Sequence, residues 1–299
     1  MLPREQRYAA ILFLALAALC WSTAGLFTRL IPLDAWTILF WRGAFGALLT
    51  GLCALCLDRR DRATAPRFQL GHGTILVWMT LGTLAFIPAL KLTGVASVAI
   101  IHATTPLIAA GLAWIWLGEP IERITVVAGA VAAAGVAIMG SGRPIASDGL
   151  GMILAFGMAF SMAMTLVAFR RHRDVACWPV ACLSNVLTAA VAAPFAHPVP
   201  IGTDALAWLM LFSLVQMTLG LGLFVLGTRR LPAAEAAVIG LIETPLAPFW
   251  VWLVFYEIPS VRTMIGGALV LTATATHLVL RRGRWRAAAA GADGRAGAP

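Results

Sequence analysis

Apolar residues run along this chain in long continuous blocks, broken by short segments rich in Arg, Pro, Gly and Asp. The blocks do not alternate apolar with polar, as lipid-facing barrel strands would. A helix rises about 1.5 Å per residue, so about 20 residues cross about 30 Å of hydrocarbon. That ruler predicts ten helices, over residues 8–29, 34–57, 70–90, 94–116, 123–140, 149–169, 176–195, 204–227, 233–255 and 262–281. Only helices can satisfy their own backbone in lipid at this length, so the predicted class is all-α integral membrane. No connecting segment is long enough for a soluble domain. Residues 287–299 hold Ala, Gly, Asp, Arg and Pro, cannot build a core, and are expected to form a disordered cytoplasmic tail.

Composition agrees with the membrane class. The chain is 61% hydrophobic and 12% charged, against about 25% charged for a soluble domain. Its net charge of +9 comes almost wholly from Arg, with Lys91 the single Lys. The Arg residues gather in alternate loops: Arg4 and Arg7, the stretch 59–67, Arg123, the stretch 170–173, Arg229 with Arg230, and the run from Arg281 onward. Such asymmetry marks cytoplasmic loops rather than a nucleic-acid patch. It predicts both termini in the cytoplasm of a bacterial-type inner membrane. Cys53 and Cys56 have CxxC spacing inside an apolar run with no second pair or His nearby, so no metal or cofactor is expected. Most Trp residues sit near span ends as an interfacial belt. Trp21 lies deeper, where it could line a cavity or pack.

A duplication organises the chain. The stretch Lys91 to Arg123 returns as Arg230 to Arg262, a constant 139 positions later: Thr105-Pro106-Leu107 meets Thr244-Pro245-Leu246, and Pro120 meets Pro259. Matches of Leu on Leu mean little in so apolar a chain, but prolines, threonines and basic residues at one offset mean more. The halves run over 8–140 and 149–282 and hold five spans each. Five is odd, so the second half must enter the membrane from the opposite face. Inverted repeats of this kind recur in secondary transporters, whose substrate sites lie at mid-membrane between the repeats. No nucleotide-binding motif accompanies them.

The pattern resembles the EamA family of the drug/metabolite transporter superfamily. The resemblance is carried by ALKLTGVASVAIIHATTPLIAAGLAWIWLGEPIERITVVAGAVAAAGVAIM, by TRRLPAAEAAVIGLIETPLAPFWVWLVFYEIPSVRTMIGGALVL, and by the Trp21-Ser22 and Arg42 regions. It implies ten helices around a central cavity and transport of small metabolites, often export of amino acids or related compounds. The second half ends in Tyr256-Glu257-Ile258-Pro259 where the first has Leu117-Gly118-Glu119-Pro120, so the loss of the Gly predicts a differently shaped end there.

The candidate site residues lie near mid-depth. Glu243 is about ten residues into its span, where an ionised group needs a reason. Pro106 and Pro245 remove a backbone donor and should free the carbonyls of His102 and Leu241. Thr104, Thr105 and Thr244 add hydroxyls beside them. Arg42 lies about eight residues into its span, and could pair with Glu243, hold a substrate carboxylate, or bind backbone carbonyls. His102 is the one His well inside a span and could relay protons or simply pack. A membrane enzyme would need a convergent His, Asp or Cys cluster, and a channel a ring of repeated polar residues. The sequence offers neither, so a carrier of a small solute, with protons as a candidate coupling ion, is the favoured reading.

Overall fold

The computed structural model describes residues 4–57, 70–93, 95–141, 149–172, 175–197, 201–256, 258 and 260–296. The Arg stretch 59–67, Arg143, Arg173, Glu257, Pro259 and residues 297–299 lie outside the described residues. The chain forms α1 (Arg4–Ser22), α2 (Ala24–Leu30), α3 (Ala35–Leu57), α4 (Leu70–Thr93), α5 (Val95–His102), α6 (Thr105–Leu117), α7 (Arg123–Gly140) and α8 (Gly149–Arg171). Next come α9 (Cys177–Ala192), α10 (Thr203–Phe212), a π-helix (Ser213–Gly220), α11 (Leu221–Thr228), α12 (Ala233–Gly240), α13 (Glu243–Phe255) and α14 (Val261–Ala296).

Among the described residues, nine helical stretches are long and apolar enough to cross a membrane. The fifth predicted span, seen as Arg123–Met139, is apolar but shorter. At about 1.5 Å per residue it falls a few ångströms short of the hydrocarbon thickness. At the C-terminus, α14 continues as helix to Ala296. Its run of four alanines after Arg286 has the highest intrinsic helix propensity, and that local preference needs no core.

The helices pair across the halves. The strongest contacts are α4 with α8, α3 with α9, α7 with α14, and α1 with α11 and the π-helix. Exchanging each span for its counterpart five spans away turns the α4–α8 pairing into the pairing of α1 with the π-helix and α11, and maps α3–α9 and α7–α14 onto themselves. The weaker contacts obey the same exchange: α6 with α8 answers α13 with α1, α5 with α8 answers α12 with α1, and α6 with α7 answers α13 with α14. The contact pattern is therefore twofold.

Small residues make these pairings close, as expected where lipid supplies no hydrophobic drive between helices. Gly43 and Gly46 of α3 lie against Asn185 and Ala189 of α9. Gly266 of α14 lies against the backbone of Gly135 in α7. Each Thr-Pro step is seated in the same way: Pro106 rests on Gly129 of α7, and Pro245 on Gly267 of α14. The outer surface stays apolar, with Ile115 and Ile153 well exposed, as a lipid-facing belt requires.

Three helix ends show how the chain is turned at the membrane rim. Asp34 caps α3, its carboxylate accepting the Trp36 and Thr37 N–H groups and the Thr37 hydroxyl. Burial alone would raise its pKa, but the bonds to Thr37 and Trp36 and the nearby His197 lower it below the ordinary carboxylate value. The cap thus contributes above the unfolded pKa, about 3.9, and is lost as pH falls through the depressed folded value. Asp34→Ala is expected to cost about 1 kcal/mol in neutral thermal unfolding, and the difference should vanish in strong acid. Elsewhere, α6 closes in left-handed Gly118 and α13 in left-handed Tyr256. The N–H of each bonds back four residues, to Trp114 and Trp252. The left-handed residue of the second half thus falls one position earlier than in the first and is not a Gly, and the capping bond with an 83% exposed side chain tolerates the strain.

Candidate functional site

Spans four and nine are each broken at the same place. α5 stops at His102 and α6 starts at Thr105, while α12 stops at Gly240 and α13 starts at Glu243. The prolines fall in the first turn of α6 and α13, where a missing N–H costs nothing. They therefore start helices rather than kink them. The carbonyls expected to be free are already engaged: His102 O accepts the Thr105 hydroxyl, and Leu241 O accepts the Thr244 N–H.

The breaks bring His102 and Glu243 together. His102 Nε2 lies 3.0 Å from Glu243 Oε1, with both side chains about one-fifth exposed. Thr105 Oγ1 stands 3.4 Å from the other ring nitrogen, Nδ1. His102 closes the C-terminal end of α5 and Glu243 opens α13, and a helix dipole favours positive charge at its C-terminus and negative charge at its N-terminus. This arrangement explains how a carboxylate is held at such depth. Of the three readings of Arg42, the pairing with Glu243 is not the one found, since Glu243 is paired with His102.

A narrow pocket, little larger than a water molecule in this state, opens beside the pair, lined by Trp21, His102, Thr105, Met162, Leu166, Phe224, Ala236, Ala237, Gly240 and Glu243. These residues come from both halves. Trp21 is fixed twice to Gln216. Its indole N–H donates to the Gln216 carbonyl at 3.1 Å, and the Gln216 amide donates back to the Trp21 carbonyl at 3.0 Å. Gly220 leaves room for the indole, since a Cβ there would lie 2.7 Å from Nε1. The Trp250 indole donates to Ser22 at 2.7 Å, at the break between α1 and α2.

Four of the sequence candidates, Trp21, His102, Thr105 and Glu243, thus share one pocket. Arg42, Thr104 and Thr244 are not among its lining residues. Thr104 turns its hydroxyl back to the Ile101 carbonyl. Gln216, only 2% exposed, has no counterpart in the sequence reading, because the run Ser213–Gly220 contains no proline to mark a change of helix type. Among the described residues no three His, Cys, Asp or Glu side chains gather as metal ligands.

Ion pairs tie helices together at the end of the bundle that carries Arg7 and Arg170. Arg7 Nη2 donates to both carboxylate oxygens of the fully buried Glu235, at 2.9 and 3.2 Å, joining α1 to α12. Arg170 of α8 bonds Glu119 after α6 at 2.9 Å. Arg171 adds a bond to the Trp116 carbonyl.

The fold and pocket define the class: a multi-pass helical membrane protein, built from two repeats that meet at broken helices. Residues 8–141 and 149–278 each match the EamA-like transporter family, and the chain belongs to that family. A crystal structure described only as that of a protein is similar in fold, with a TM-score of 0.77 over 92% of this chain and 98% of that one, at 22% identity. No curated protein matches.

Proposed function

We propose that this chain is a secondary carrier of small polar metabolites, amino acids or related compounds, working as an exporter from a bacterial cytoplasm. Ten crossings, five per half, would thread the halves through the inner membrane in opposite senses with both termini inside. The twofold contact pattern supports this reading, because equivalent halves of opposite sense have two arrangements of similar energy, each open to one side. The pocket beside His102 and Glu243 is the solute site. The Arg7–Glu235 and Arg170–Glu119 pairs close its cytoplasmic side, and protons exchange at the His102–Glu243 pair, since imidazole changes charge near neutral pH.

The observation that supports this most is the cross-half ion pair His102–Glu243, held at two helix breaks inside a pocket lined from both halves. Counterflow in vesicles holding purified protein tests it, with labelled amino acids, nucleosides and cationic drugs. Saturable exchange of one class is expected. Gly240 supplies the control: it lines the pocket, and a Cβ there meets nothing within 4 Å. Gly240→Leu should leave thermal stability unchanged or higher, since Gly is a poor helix residue by about 1 kcal/mol, while exchange falls at least tenfold. Full exchange by this variant would place the solute elsewhere.

A further inference from the structure

Arg42 of α3 is 4% exposed, and its Nε and Nη1 have no hydrogen-bond partner. Its Nη2 reaches only the Met217 sulfur, at 3.5 Å, and its Cζ stands 5.0 Å from the centre of the Phe212 ring. A thioether is a weak acceptor and one ring face a modest attraction. A guanidinium placed so deep has given up its hydration for little in return. An apolar side chain of similar length would fill this site at lower cost. The charge therefore has its use in an arrangement other than this one.

The covering element is the π-helix Ser213–Gly220. Its Met217 lies against the guanidinium, and its Ser213 hydroxyl donates to the Arg42 carbonyl at 3.1 Å. The adjacent Gln216 holds Trp21, which lines the pocket. One short segment thus touches both Arg42 and a pocket wall. A π-turn carries a wider backbone ring than an α-turn, and such turns cluster at functional sites. Rewinding it toward α-helix would rotate Met217 and Gln216 together.

We propose that Arg42 is the carboxylate-receiving group of the pocket, covered in this state by Met217 and uncovered when the π-helix rewinds. The proposal rests on the carrier reading and narrows its substrate class to solutes bearing a carboxylate. The planar fork takes the carboxylate in two parallel bonds.

The test is thermal unfolding of the purified full chain with L-leucine, acetate and benzoate, each compared with its amide. Ligands that bind only the folded state raise the midpoint. In the wild type, at least one carboxylate should raise it several degrees more than its amide does. Arg42→Met should erase that difference, yet unfold without additive at the same temperature or higher. Met217→Ala, which thins the cover, should move the carboxylate effect to lower concentration. The proposal is overturned if no carboxylate outperforms its amide, if Arg42→Met keeps the difference, or if Arg42→Met unfolds several degrees lower, which would mark a structural arginine. These readouts need no transport, so they stand or fall separately from vesicle exchange.

Discussion

Glu243→Gln is expected to lower solute exchange by about 30- to 100-fold while leaving the protein folded. The substitution keeps the shape of the side chain and removes its charge. His102, 3.0 Å away, then faces a neutral amide in a pocket otherwise lined largely by apolar groups. Removing one member of a fully buried pair costs about 3–5 kcal/mol. Because both side chains remain about one-fifth exposed, about 2–3 kcal/mol is the better figure, and each 1.4 kcal/mol is about tenfold. The same loss should flatten the response of exchange to an imposed pH gradient. Vesicle counterflow measures both effects, and an unaltered size-exclusion profile checks the fold. Wild-type exchange from this variant would remove Glu243 from the transport path.

Gly266→Val should be the most destabilising single change in the bundle. A Cβ at residue 266 would lie 2.2 Å from the Gly135 carbonyl oxygen and 2.5 Å from the Met139 side chain. The first of these atoms is backbone, so α7 and α14 would have to move apart. Overpacking costs about 1–3 kcal/mol in ordinary cores, and a backbone clash belongs at or above the top of that range. Next along the helix, a Cβ on Gly267 would stand 3.2 Å from Pro245 Cβ, a contact relieved by a few tenths of an ångström. Thermal unfolding should therefore rank Gly266→Val far below Gly267→Val. Equal midpoints would mean that α7 and α14 are not held at this separation.

The sequence carried the spans and the duplication because both are written one-dimensionally. Apolar runs reveal helix ends, and Thr105-Pro106 and Thr244-Pro245 mark equivalent breaks. Depth was legible too, since residue count converts directly to ångströms. Rotation about each helix axis was not, and Arg42 shows the consequence. It was placed near the depth of Glu243, yet it faces Phe212 and Met217 instead. One available signal pointed to His102. Its equivalent across the duplication is Leu241, two residues before Glu243, and near a twofold axis equivalent positions approach each other. The π-helix left no such trace, because Ser-Leu-Val-Gln-Met-Thr-Leu-Gly reads as ordinary span. Its geometry comes from packing against α1 and α3.

The central claim is that His102 and Glu243 act as one unit where the two halves meet. A double-mutant cycle on vesicle counterflow tests it, using His102→Gln, Glu243→Gln and the combined variant. Groups that act together are strongly non-additive. The combined variant should therefore exchange solute no more slowly than the poorer single variant. Losses that simply multiply would contradict the account, because His102 and Glu243 would then serve transport independently.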